Sequence, residues 1–84
     1  GEKVITSKEE IRALSIENLI KNEISQLKSK NKKSDYYFEI ISKIEKELIK
    51  QILEITNGKK VETAEILGIT RNTLRTKMNY YDLE

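Results

Sequence analysis

Residues 57–81 read NGKKVETAEILGITRNTLRTKMNYY, and their reading decides the fold. Asn57-Gly58 is a helix stop, because glycine enters the left-handed region without a steric penalty. Val61, Ala64, Ile66 and Leu67 then predict a helix of about two turns, from Lys60 to Leu67. Gly68-Ile69-Thr70 interrupts it, and Thr70 is suited to cap a last helix from Arg71 to about Tyr80. Leu74, Met78 and Tyr81 share one face of that helix, with Ile69 packing just before it. Ala64 must be small where the second helix crosses the first. Gly68 supplies the left-handed turn, Ile69 plugs the core and Leu74 anchors the second helix. A short helix, a three-residue turn containing glycine and a second short helix make a helix-turn-helix.

Upstream of this unit the spacing predicts two longer helices. Ser7-Lys8-Glu9-Glu10 reads as a capping box after a frayed lead-in over residues 1–6. Ile11, Leu14, Ile16, Leu19, Ile20, Ile24 and Leu27 follow mostly three or four apart, giving a helix from about 7 to 29. Ser29 to Ser34 is polar and basic and serves as the connection, its lysines reading as a solvated loop. Asp35 or Ser34 caps a second helix to about Thr56. Its stripe is Tyr37, Ile41, Ile44, Leu48, Ile52 and Ile55, at steps of 4, 3, 4, 4 and 3. Ile40, Ile49 and Leu53 make a second line beside it, so the apolar face is wider than one antiparallel neighbour would cover. Two such hairpins packed into a dimeric bundle would cover it, through Leu14, Leu19, Ile24, Tyr37, Ile41, Ile44 and Leu48. A face that only receives the C-terminal segment is the alternative. The expected class is therefore all-α, with four helices per subunit: a dimerisation αα-hairpin over 7–56 and a helix-turn-helix over 57–84, together one domain.

Composition narrows the function. The chain has 84 residues, 37% hydrophobic and 36% charged, with no proline, cysteine, histidine or tryptophan. That excludes a disulfide framework, the usual zinc sites, a cysteine nucleophile and any Ser-His-Asp triad, so no metal, cofactor or catalytic residue is expected. No run approaches the roughly 18 apolar residues of a membrane span, and no signal-peptide pattern is present, so a cytoplasmic setting is expected. A domain this small without staples usually needs a partner to complete its core.

The net charge of +2 hides its distribution. Residues 66–81 hold Arg71, Arg75 and Lys77 and no acid at all, although Lys and Glu alternate freely elsewhere. Opposite Leu74 and Met78, the last helix presents Asn72, Arg75, Thr76 and Asn79, flanked by Arg71, Thr73 and Lys77. Arginine can donate in a bidentate way to guanine and asparagine can pair with adenine. Threonine hydroxyls, lysine and helix N-terminal amides suit phosphate. The helix therefore reads as a DNA-recognition helix, against the plainer reading of a solvated face.

Residues 44–83, from Ile44 to Leu83, resemble the Fis-type helix-turn-helix. The residues that carry the resemblance are Asn57-Gly58, then Ala64, Leu67-Gly68-Ile69, Arg71-Asn72-Thr73-Leu74 and Lys77. The family includes the nucleoid protein Fis and the C-terminal domains of NtrC-like activators of sigma-54 RNA polymerase. The resemblance implies a homodimer formed through the two long helices. It further implies that Thr70, Arg71, Thr73, Arg75, Thr76 and Lys77 contact double-stranded DNA in the major groove, with Lys59 and Lys60 near phosphate; Asn72 joins them from the face reading above. Thr63, Lys59 and Met78 depart from the residues usual in the family without disturbing the fold. Asp82 replaces the usual glycine, and a different ending of the last turn is expected there.

Fis-like nucleoid proteins carry an N-terminal β-hairpin arm, whereas about six residues precede the first helix here. That favours the enhancer-binding type, which implies an AAA+ ATPase domain in the full-length protein and a pseudo-palindromic site. A stand-alone DNA-bending nucleoid protein and a helical protein-interaction domain remain the rivals, and an enzyme is not expected.

Overall fold

The computed structural model describes the backbone from Lys8 to Glu84 and the side chains from Ser15 onward. The lead-in, the Ser7–Glu10 capping box and the side chains of Ile11 and Leu14 lie outside the described residues. The described residues form four helices and no strand: α1 Lys8–Ser29, α2 Tyr36–Ile55, α3 Lys60–Leu67 and α4 Arg71–Tyr81. These bounds follow the punctuation read from the sequence. Among the described residues no helix is long and apolar enough to cross a membrane.

All four helices stop in the same way. Asn31, Asn57, Gly68 and Asp82 follow their helices with φ of 60°, 55°, 75° and 57°, in the left-handed region. Beyond each, an amide reaches back five residues: Lys32 to Leu27 at 3.0 Å, Gly58 to Leu53 at 2.8 Å, Ile69 to Ala64 at 3.1 Å and Leu83 to Met78 at 2.9 Å. This pattern satisfies carbonyls that a helix end would otherwise leave unpaired, and it curls the following residue back onto the helix. One expectation is extended here and another is corrected. Asn57 takes the left-handed stop of α2 in its own right, with Gly58 after it also at positive φ (82°). Asp82 ends α4 in the conformation expected of the glycine it replaces, so the last turn does not end differently. Asparagine and aspartate tolerate this region because a short polar side chain can bond locally.

The chain divides into two compact units, one ending at Ile40 and one spanning Ile41–Glu84. In the first, Leu27 and Ile40 are buried beside the connection between α1 and α2. There the Tyr36 hydroxyl donates to the Lys32 carbonyl at 2.8 Å, and the Lys32 ammonium pairs with Glu39 at 3.5 Å. Between Ser15 and Gln26 no residue of α1 is buried, and Ile16 and Leu19 are exposed.

The core of the second unit is Ile49, Ala64, Leu74 and Met78, with Leu53, Leu67, Ile69, Tyr81 and Leu83 packed against it. Leu74 is 1% exposed, and burying a leucine side chain fully is worth about 1.5–3 kcal/mol. The core is built on the second apolar line of α2. Its neighbour Leu48 is 50% exposed while Ile49 is 2% exposed, because successive helical residues point about 100° apart. Tyr37, Ile41, Ile44 and Ile55 are exposed with Leu48. Within this unit the C-terminal segment thus covers Ile49 and Leu53, and leaves Ile41, Ile44, Leu48 and Ile55 of the longer stripe open to solvent, with Ile52 half-buried. In α3, Val61 and Ile66 are exposed, and the buried positions are Thr63 and Ala64.

Thr63 is 0% exposed. Its hydroxyl donates to the Lys59 carbonyl at 2.8 Å and lies 2.7 Å from the Thr56 hydroxyl, itself buried. With its own proton committed to Lys59, Thr63 accepts from Thr56. This pair fastens the end of α2 to the first turn of α3 across the Asn57-Gly58 stop.

Candidate nucleic-acid interface

The start of α4 is set by its cap. Thr70 is extended (φ −75°, ψ 158°), and its side chain accepts from the Thr73 amide at 3.1 Å. The same hydroxyl donates to the Thr73 hydroxyl at 2.9 Å. The remaining first-turn amides point outward without an acidic residue nearby in the helix, so this end carries the positive pole of the helix dipole.

Leu74 and Met78 lock one face of α4 into the core, and that fixes what the other face shows. Arg71, Asn72, Arg75, Thr76 and Asn79 are exposed, and Thr73 is half-buried. The Arg75 guanidinium donates to the Asn72 side-chain oxygen at 3.4 Å, and the Thr76 hydroxyl donates to the Asn72 carbonyl at 3.0 Å. A shallow concavity is lined by Lys60, Thr70, Arg71, Asn72 and Arg75, bringing α3 and α4 residues together around three cations. A second is lined by Asn72, Thr73, Thr76 and Lys77. All nine residues read from the sequence as a DNA surface therefore lie on α4, at its cap Thr70, or at the start of α3.

Their electrostatic circumstances differ. Arg71 and Arg75 have no acidic partner among the described residues. Lys59 pairs with Glu62 at 3.8 Å and Lys60 with Glu84 at 2.8 Å, both largely solvent-exposed. Exposed pairs of this kind contribute little and yield readily to a phosphate. Lys77 is half-buried and pairs with Glu45 of α2 at 2.9 Å. The other Glu45 oxygen accepts from the Tyr81 hydroxyl at 2.6 Å. Hydrogen bonds from Tyr81 and Lys77 hold the Glu45 carboxyl below its ordinary value, against the opposing effect of burial. Burial, then the hydrogen bond to Glu45, pushes the Tyr81 phenol up to about 12.

Sequence reasoning missed both Glu45 and the Thr56–Thr63 pair. A signal for Glu45 was available: it precedes Ile49 by one helical turn and so sits on the core line of α2. The residues read as a dimer surface are placed as follows. Leu19, Tyr37, Ile41, Ile44 and Leu48 are exposed, Ile24 is half-buried, and Leu14 lies outside the described side chains.

Two short helices joined by Gly68-Ile69-Thr70, packed on a third and exposing a basic second helix, define a helix-turn-helix protein. The family described as "Bacterial regulatory protein, Fis family" matches residues 40–81, half of the chain, and the chain belongs to that family. Relatives include the DNA-binding protein Fis of Proteus mirabilis (strain HI4320). It is 29% identical over 69 residues, which cover 82% of this chain and 69% of that protein. The DNA-binding protein Fis of Yersinia enterocolitica serotype O:8 / biotype 1B is 30% identical over 69 residues, with the same coverage. No solved structure matches significantly.

Proposed function

We propose that this chain binds double-stranded DNA sequence-specifically as a homodimer, with α4 of each subunit in the major groove. The observation that carries the reading is α4 itself. One face is immobilised by Leu74 and Met78, and the opposite face offers Arg71, Asn72, Arg75 and Thr76 with no carboxylate among them. Arg71 and Arg75 are the base-reading candidates, by bidentate donation to guanine. Lys59, Lys60, Thr70, Thr73 and Thr76 supply phosphate contacts that fix register. The open stripe Tyr37, Ile41, Ile44 and Leu48 supports dimerisation, together with Leu19 and Ile24 on α1 and Leu14 from the sequence. Residues 7–56 then serve dimerisation and 57–84 DNA recognition. A two-fold dimer places half-sites about 34 Å apart on a pseudo-palindromic site unless the DNA bends.

In its cellular setting the module acts in the cytoplasm and tethers a sigma-54-dependent activator, with its AAA+ ATPase domain, to an enhancer. The resemblance to NtrC-like domains supports this setting. A second setting, a stand-alone DNA-bending nucleoid protein, is favoured by the relatives named DNA-binding protein Fis. The two separate on whether an ATPase is encoded in the same reading frame.

Gel-shift titration of the 84-residue chain at two or more salt concentrations, with duplexes selected from a random pool, tests the core reading. Binding that weakens steeply with salt and converges on one motif is expected. Absence of binding at about 50 mM salt, where electrostatic affinity is strong, would leave a protein-interaction domain as the better description.

A further inference from the structure

We infer that Glu45 is a positioning residue for DNA recognition, holding α4 at a fixed rotation on the dimer helix α2 and withholding Lys77 from the DNA backbone. The inference rests on the DNA-binding reading above.

The geometry is a two-pronged clamp. One Glu45 oxygen takes the Lys77 ammonium at 2.9 Å and the other takes the Tyr81 hydroxyl at 2.6 Å. Lys77 and Tyr81 are one turn apart on α4, so a single carboxylate grips a full turn of that helix. Ser42, one turn before Glu45 on α2, hydrogen-bonds Tyr81 as well. The apolar contacts of Leu74 and Met78 are non-directional and resist separation more than rotation. Charge-assisted hydrogen bonds are directional, and here they supply what the apolar core lacks. Rotation matters because Arg71 and Arg75 reach bases only while α4 keeps its setting, and recognition side chains need supporting contacts that hold them within about 0.5 Å.

The clamp also explains a mismatch between sequence and surface. Lys77 belongs to the acid-free stretch 66–81, yet an acid 32 residues earlier neutralises it. A free lysine at this position would attract any phosphate. Paired with Glu45, it adds less to indiscriminate binding, and discrimination is left to the arginines.

Glu45→Gln tests this with a duplex selected by the wild-type chain and a scrambled duplex of equal length and composition. The expected result is a five- to tenfold fall in the ratio of selected to scrambled affinity, the size of one lost coupling within a hydrogen-bond network. The salt dependence on the scrambled duplex should steepen by up to about 0.9 in log–log slope, as one lysine is freed for phosphate. Tyr81→Phe keeps the ring and the Glu45–Lys77 pair, so its ratio should fall while its slope stays unchanged. A purely structural role would lower both affinities alike and leave ratio and slope untouched in both variants; that result overturns the inference. Should Glu45→Gln fail to fold by circular dichroism, the Tyr81→Phe ratio alone decides it. Failure of the wild-type chain to bind either duplex would instead remove the DNA-binding reading itself.

Discussion

The Thr56–Thr63 pair makes a stability prediction that the structure quantifies. Thr63→Val keeps the side-chain volume and removes only the hydroxyl. Two bonds disappear: donation to the Lys59 carbonyl at 2.8 Å and acceptance from Thr56 at 2.7 Å. Each is worth about 1 kcal/mol net, and the buried Thr56 hydroxyl keeps only a long contact to the Leu53 carbonyl at 3.3 Å. The expected loss is about 2–3 kcal/mol, since a stranded buried donor adds its own desolvation cost. Thr63→Ser retains both bonds and loses one methyl, which costs about 1 kcal/mol. The double variant Thr56→Val/Thr63→Val strands no hydroxyl, so its loss should fall short of the sum of the single losses by about 1 kcal/mol. Urea unfolding followed by far-ultraviolet circular dichroism measures the wild type, both Thr63 variants, Thr56→Val and the double variant. Protein concentration must be held constant, because the proposed dimerisation would contribute to apparent stability. A Thr63→Val loss below that of Thr63→Ser, or strict additivity in the double variant, would refute a hydrogen-bonded fastening between α2 and α3.

The helix stops predict opposite responses to two substitutions, both readable as melting temperatures. Asp82→Gly should stabilise the chain by roughly 1 kcal/mol through relief of left-handed strain. Gly68→Ala should cost about 1–2 kcal/mol from the backbone alone, because an added Cβ meets no atom within 4 Å. Stability should also narrow at both ends of the pH scale. The lowered Glu45 carboxyl contributes stability that is present above its unfolded value and lost as pH falls through the lower folded one. The raised Tyr81 phenol contributes fully below about pH 10 and loses that contribution as pH rises towards about 12. Glu45→Gln should therefore flatten the acid limb of a stability–pH curve, and an unchanged limb would contradict the clamp. Leu48→Glu should weaken the dimer by about a hundredfold or more in sedimentation, since like charges would meet across the two-fold interface.

The local stops and starts were legible in the sequence because they are written in adjacent residues. Asn57-Gly58, Gly68 and Thr70 each act within a few positions, and α3 and α4 begin and end where those residues put them. The cores were half legible. Periodicity found two apolar lines on α2, but only packing shows that α3 and α4 occupy the Ile49–Leu53 line and leave the longer stripe open. Asp82 was misread because an aspartate accepts the left-handed conformation that its family position demands. The acid-free stretch was real along the chain and incomplete in space, since Glu45 reaches Lys77 across 32 residues; outside that stretch Glu84 reaches Lys60 across 24. No one-dimensional charge pattern contains such pairings. The candidate face on α4 was the most legible part of all, because a short amphipathic helix leaves its polar residues only one side to occupy.

The central claim is that two copies of this chain hold one DNA site through paired α4 helices. Determining the mass of the complex on a duplex selected from a random pool, with protein in excess, tests it directly. Two chains per duplex and a selected motif with two-fold symmetry are expected. One chain per duplex on an asymmetric motif would contradict it.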